Sequence, residues 1–429
     1  MNKKFLVFFL VFLATAAGAT SVFGSKNAKD PDVISGQYIV VFKDDVNNSD
    51  AATEEMAKGH GLGVIHKYNN LLKGFSATIP DNKIDKIKKD PRVSFLSEDR
   101  IVYAAAKPGA EAITQPAQSI PTGIDRIDAE ALANEGVGVG VAVLDTGIDL
   151  THPDLKANLS TYSKNCILTA RSATDDNGHG THVAGTIAAL DNTIGVVGVA
   201  PKAKLFAVKV LNKNGSGSWS TIICGLDWVK ANAANLGINV INMSIGGTGS
   251  SDNNCGNTNN DALHKALCRT RDAGITNVVA AGNESKNASL SVPAAYNDAV
   301  ITVSALADSD GKAGALGAAT SYGADDSFAT FSNFGSAVDI AAPGVSIKST
   351  YKGGVYATMS GTSMATPHVA GAAALYISKN LTAFKALPLS DRWTTVKNAL
   401  IAAGEACGDN AHTCSDLNHP ETVLNVSTF

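Results

Sequence analysis

Neither sign of charge dominates this sequence: 35 Lys and Arg stand against 39 Asp and Glu, for a net charge of −4 over 429 residues. With no basic stripe to offset that balance, nothing points to a nucleic-acid or anionic-membrane partner. Cysteine is scarce, and six in 429 residues is too few for a small disulfide-scaffold protein. No CxxC pair and no nearby Cys/His grouping suggests a zinc site. There is no repeat with a period of ~20–50 residues and no low-complexity tract. Charged residues make up only 17% of the chain and apolar ones 45%, so wholesale disorder is excluded and a sizeable core is affordable.

At ~150 residues per domain, this length suits two or three domains. The N-terminus opens MNKK and runs through an apolar stretch from Phe5 to Ala19. That pattern is a secretory signal peptide, and the run falls short of the ~20 residues a membrane span needs. Cleavage after Ala19 or after Gly24 is compatible, and residues 1–24 are assigned to the signal. No later stretch is long and apolar enough to span a bilayer, so a secreted, extracellular and soluble product is expected, without a membrane partner after signal cleavage. Cys166, Cys224, Cys255, Cys268, Cys407 and Cys414 fit that route, because an even count in a secreted chain reads as disulfides. Six cysteines allow fifteen pairings. Short separations favour Cys255 with Cys268 and Cys407 with Cys414, leaving Cys166 with Cys224.

Residues 25–106 form a first unit. QYIVVFKDD (Gln37 to Asp45) and GFSATIP (Gly74 to Pro80) read as strands, and polar helical stretches such as DNKIDKIKKD (Asp81 to Asp90) lie around them. A small α+β domain is expected, ending near Glu98 to Ala106, followed by a linker from Lys107 to Pro116. Residues 107–429 form the second unit, in which short apolar runs alternate with helical stretches. VGVGVAVLD, KLFAVKVL, INVINMSI, GITNVVAA and DAVITVSAL suit strands buried on both faces, hence an α/β fold with a mainly parallel central sheet.

Polar residues interrupt that core in three places. VAVLDTGID puts Asp145 at the end of a buried strand, DDNGHGTHVAGTIAAL puts His179 ahead of a helix, and GTSMATPHVAGAAAL puts Ser363 at the start of another. Strand C-termini and helix N-termini meet along one edge of a parallel sheet, so the three side chains can converge although 34 and 184 residues separate them. Their chemistry is complementary. A serine hydroxyl is a weak nucleophile until an imidazole accepts its proton, and a buried carboxylate fixes that imidazole's tautomer. In VVAAGNES a strand ends before Asn283, whose amide can donate to an oxyanion opposite the Ser363 backbone N–H.

Taken together, these segments resemble the subtilisin-like serine proteases. The chain order Asp145, His179, Ser363 is that family's, DTGID, HGTHVAGT and GTSMATPHVAG are intact, and Asn283 stands at the oxyanion-hole asparagine. The resemblance runs from Ala117 to Phe429, with AQSIPTG similar to a mature start, while the segment from Ser25 to Ala106 is similar to the family's inhibitory propeptide. It implies a three-layer subtilisin-like fold and a secreted serine endopeptidase acting through an acyl-enzyme. The enzyme would be monomeric, act on polypeptides, and be made as an autoprocessed zymogen whose own propeptide inhibits it and aids its folding. The stretch near Ile101 to Ala106 is expected to lie in the groove like a product, and the mature start to fall between Ala105 and Ala117.

Gly215-Ser216-Gly217 and Ser244-Ile245-Gly246 match the segments that pair with an extended substrate, the glycines at 215, 217 and 246 allowing close backbone approach. The first specificity pocket is expected between Ser244-Ile245-Gly246 and Ala280-Ala281-Gly282, with Ser291 near its base and no charge among them, so apolar or aromatic residues are preferred before the cut. LDNTIGV matches the family's calcium loop. The resemblance implies a structural Ca2+ held by Asp154, Gln118, Asn192 and the carbonyls of Leu190, Ile194 and Val196. DSDG (Asp308 to Gly311) reads instead as an acidic surface turn, and His182 and His368 as structural. Ser250 to Asp261 and part of Gly311 to Asp326 look inserted relative to compact family members.

Two rival readings use the same residues. One is a catalytically silent binding protein on this fold, and the other an esterase or lipase. The four polar residues together disfavour the first, and the lack of a lid-like apolar segment disfavours the second.

Overall fold

A computed structural model of the chain describes residues 32–106, 113–130, 132–406 and 419–429. The signal segment at residues 1–24, part of the linker, and Cys407 with Cys414 lie outside the described residues. Among those described, Cys166 pairs with Cys224 and Cys255 with Cys268, and no helix is long and apolar enough to cross a membrane.

All five apolar runs became neighbouring strands of one sheet. In spatial order, Ile301–Ala307, Thr276–Ala280, Ile238–Met243, Gly140–Asp145 and Lys204–Lys209 lie side by side and parallel. Ile340–Pro343, Thr422–Val423 and Lys164–Asn165 extend the sheet's edges in parallel, and Ser327–Phe328 pairs antiparallel with Ile301–Ala307. Successive side chains point to opposite faces. Val141 and Val143 therefore join the core under helices His179–Ala188 and Thr362–Lys379, while Ala142 and Leu144 join the one under helices Trp219–Leu236 and Ala262–Asp272. Three layers result. Fully burying each such branched side chain contributes roughly 1.5–3 kcal/mol.

The first unit is an antiparallel sheet in the order Gly63–Tyr68, Gly74–Thr78, Val33–Phe42, Val93–Ala104, with helices Ser49–His60 and Asp81–Lys88 on one face. The alternation in QYIVVF serves both faces. Val40 and Phe42 pack with Met56 and Ile87 beneath those helices, whereas Ile39 and Val41 enter the core of the larger unit. Polar ties reinforce the contact. Asp227 accepts from the Asn70 and Leu71 backbone N–H groups at 2.8 and 2.7 Å, and Asp99 accepts from Ser220 N and Oγ at 3.0 and 2.6 Å. Asp99 thus caps the positive end of helix Trp219–Leu236.

Candidate active site

Asp145 is the last residue of strand Gly140–Asp145 and is fully buried; His179 opens helix His179–Ala188. Their side chains meet, with His179 Nδ1 donating to Asp145 Oδ1 at 2.8 Å and Thr146 N donating to the same oxygen at 2.7 Å. Burial alone would lower the pKa of His179. The charge and hydrogen bond of Asp145, with Asp175 adding, outweigh it and hold the imidazole above 6.5. His182 and His368 stand apart. His182 donates to the carbonyls of Ile347 and Ala357 and His368 to that of Met364, and burial pushes them down to about 3 and about 4.

Ser363 lies in the first turn of helix Thr362–Lys379. Its backbone N–H donates to the carbonyl oxygen of Ala105 at 3.1 Å, and Asn283 Nδ2 donates to that same oxygen at 2.7 Å. Two donors thus converge on one carbonyl, the geometry that stabilises a developing oxyanion. Gly361 makes room for it: a Cβ there would fall 2.7 Å from that oxygen and 3.0 Å from Ala106 Cα. Thr362, which the sequence reading passed over, fixes the asparagine by donating from N and Oγ1 to Asn283 Oδ1 at 2.9 and 3.1 Å. The serine hydroxyl is turned elsewhere. Ser363 Oγ donates to the Ser244 carbonyl at 2.9 Å, and His179 Nε2 has no partner. Asp145 and His179 are joined, but the link from His179 to Ser363 is not made in this precursor.

The groove is filled by the chain's own strand Val93–Ala104. Ile101, Val102 and Tyr103 pair antiparallel with Ser218, Gly217 and Ser216, while Tyr103 and Ala104 pair with Gly246 and Ile245. Ala104 N donates to Gly215 O at 2.9 Å and Ala105 N to Ser244 O at 3.1 Å. One detail differs from expectation. A Cβ on Gly246 would meet nothing closer than 3.9 Å, whereas one on Gly247 would fall 2.9 Å from Ile101 O, so on this strand it is Gly247 that has no room for a side chain. The pocket beside Ala105 is walled by Gly246, Gly247, Gly282 and Ser291, whereas Ser244, Ile245, Ala280 and Ala281 are not among its walls. The lining is not free of charge as expected: Asp32, Glu284 and Lys286 also border it, the last two facing each other at 3.9 Å. Asn333 braces this wall, donating to Ala281 O, Glu284 Oε2 and Ser291 Oγ.

Several residues expected to hold a metal lie together through their N–H groups, with Asn192 turning its amide nitrogen to Asp154 and its oxygen to Ile194 N. Asp154 accepts from Asn192 Nδ2 and Val196 N at 2.7 and 3.1 Å, Gln118 N donates to Thr193 O, and Leu190 N donates to Asp154 O. Burial raises the Asp154 carboxyl despite those bonds. Gly195 has no room for a side chain there, since a Cβ would lie 2.0 Å from the Tyr356 hydroxyl oxygen, which itself donates to Asp154 Oδ2, and 2.4 Å from Asp154 Oδ2. The DSDG segment is not the surface turn expected: Asp308 is 2% exposed and Asp325, across the loop, is 4%. The turn folds inward because backbone N–H groups of its own loop, from Ser309 and Gly317, satisfy Asp325.

A carboxylate-anchored imidazole, a helix-terminal serine and a two-donor oxyanion site define a serine hydrolase, and a bound peptide strand makes peptide its natural ligand. The family model described as "Subtilase family" matches residues 136–414, and the one described as "Peptidase inhibitor I9" matches residues 37–105. The chain belongs to the subtilase family, and is a serine endopeptidase carrying an N-terminal inhibitory propeptide. It is 38% identical over 390 residues to subtilisin NAT of Bacillus subtilis subsp. natto, which covers 89% of this chain and 91% of that one. It is 42% identical over 322 residues to an alkaline protease of Shouchella clausii, covering 74% and 72%.

Proposed function

We propose that the chain is a secreted, monomeric, calcium-stabilised endopeptidase of broad specificity, made as a zymogen (signal 1–24, propeptide 25–106, catalytic domain 107–429) whose first cut falls after Ala105. What carries the reading is the Ala105 carbonyl, which accepts from both Asn283 Nδ2 and Ser363 N. In this reading Ser363 Oγ rotates away from Ser244 O and attacks the Ala105 carbonyl carbon while His179 Nε2 takes its proton. Asp145 stabilises the resulting imidazolium. The oxyanion is held by the two N–H donors, and collapse breaks the Ala105–Ala106 bond as His179 returns the proton to the Ala106 nitrogen. Water, deprotonated by the same imidazole, then releases the acyl group.

Substrate proteins would add a strand where Ile101 to Ala104 now lies. The glycine-walled pocket, with its acid and base facing each other, supports apolar or aromatic side chains before the cut. Oxygen donors alone suit calcium rather than zinc. Asp154, Gln118, Asn192 and the carbonyls of Leu190, Ile194 and Val196 would hold the ion, whose charge would tie the N-terminal segment to its loop.

The test is fluorophosphonate labelling of the secreted protein together with casein and ester assays. Label on Ser363 with casein hydrolysis is expected. An unlabelled serine would indicate a silent scaffold, and ester cleavage without casein cleavage an esterase.

A further inference from the structure

A second group of carboxylates lies away from the groove, on the loop that follows strand Ile301–Ala307. Asp308, Asp310 and Asp325 each place one carboxylate oxygen within 4.8 Å of the other two. Asp308 and Asp325 are buried and Asp310 is exposed, so the cluster opens to solvent on one side. Neutral donors position these side chains. Asp325 accepts from Ser309 N, Ser309 Oγ and Gly317 N, Asp308 Oδ1 from Gly311 N, and Asp310 Oδ1 from Lys312 N.

An independent observation points to a ligand: Asp308 Oδ2 is wholly buried, in a side chain 2% exposed, and has no hydrogen-bond partner. A buried carboxylate oxygen is rarely left so. Arg126 lies near enough for its charge to act on Asp308, but its hydrogen bonds go to Asp326 at 2.7 Å and to Glu405 at 3.1 and 2.9 Å, which leaves Asp308 Oδ2 without a donor. Like charges brought this close out of water are relieved by a bound cation or by a proton on one of them.

We propose that Asp308, Asp310 and Asp325 form a binding site for a calcium ion, distinct from the Leu190–Val196 loop. The donors are carboxylate oxygens only, with no imidazole or thiolate in the group, which selects a hard cation over zinc. Three carboxylates from two segments of an irregular loop suit the variable coordination of Ca2+ better than the strict octahedron of Mg2+. The ion gives Asp308 Oδ2 its missing partner and ties the start of the loop at Asp308 to its closing turn at Asp325.

The experiment uses the full chain carrying Ser363→Ala, which cannot digest itself, with calcium as the probe. Equilibrium dialysis counts bound ions, and hydrogen exchange follows the amides of residues 309–317. Asp310→Asn, at an exposed position, is expected to bind one equivalent fewer than its parent and to lose calcium-dependent protection of that loop. Asp308→Asn should do the same. Unchanged stoichiometry and affinity in Asp310→Asn, or a loop whose exchange in the parent ignores calcium, would overturn the proposal. Asp310→Asn decides the matter alone if Asp308→Asn fails to fold.

Discussion

The two sides of the Ala105 carbonyl are in different states of readiness. On one side the oxygen is already held by Asn283 Nδ2 and Ser363 N, and the asparagine is itself anchored by Thr362. On the other, His179 is locked to Asp145, yet its Nε2 faces no partner and the serine hydroxyl is bonded to Ser244 O. The electrostatic half of the site is built from backbone and a doubly anchored amide, so it is complete as soon as the fold is. The proton-transfer half lacks its link from His179 Nε2 to the serine hydroxyl. A precursor can therefore present its own peptide, polarised, without having cut it.

That contrast can be broken from either side. Ser363→Ala should give the largest effect, a loss of about 10^6-fold in kcat on a peptide substrate, with the precursor left uncut. Asp145→Asn, which leaves the imidazole in the wrong tautomer, should cost about 10^4-fold in kcat at neutral pH. Removing a donor from the other side by Asn283→Ala should cost about 100–1,000-fold in kcat, with KM little changed. If Asn283→Ala proved harsher than Asp145→Asn, the division of labour drawn above would be wrong.

Two smaller effects sharpen the picture. Thr362→Val removes the hydroxyl that holds Asn283 Oδ1 and leaves the backbone bond. A net hydrogen bond of about 1 kcal/mol predicts a loss of about fivefold in kcat, again without a change in KM. The pH profile concerns the other side. His179 must be neutral to act as base, and its pKa is raised, so kcat/KM should fall on acidification through a midpoint above 6.5. Release of the propeptide lessens the burial that opposes this shift. A midpoint below 6.5 in the mature enzyme would show that Asp145 does not control the imidazole.

Much of this was legible in the sequence, because the candidate catalytic side chains are polar interruptions of otherwise apolar segments. Asp145 ends a run of buried aliphatics, and Ser363 opens a helix rich in Ala and Gly. The same logic located the five central strands, whereas Ile340–Pro343, with two alanines in four residues, offers too little apolar signal to stand out. What remained hidden depends on contacts between distant segments. Nothing local marks Asn333 as the brace of the pocket wall, and nothing in DSDG tells that Asp308 turns inward to meet a loop closed by Asp325. Likewise the glycine that must be small is Gly247 rather than Gly246, a distinction set by the register of the propeptide strand against Ile245–Thr248. Asp99 and Asp227 read as ordinary surface acids until the two units are seen to meet at helix Trp219–Leu236.

The central claim is that Ser363 cuts the peptide whose carbonyl those two donors already hold. Mass analysis of the propeptide fragment, captured at the earliest times of refolding, reads this directly. A fragment ending at Ala105, formed by the unaltered chain and absent from purified Ser363→Ala, is the predicted result. A first cut at any other bond, or the same fragment appearing in Ser363→Ala with no other protease present, would contradict it.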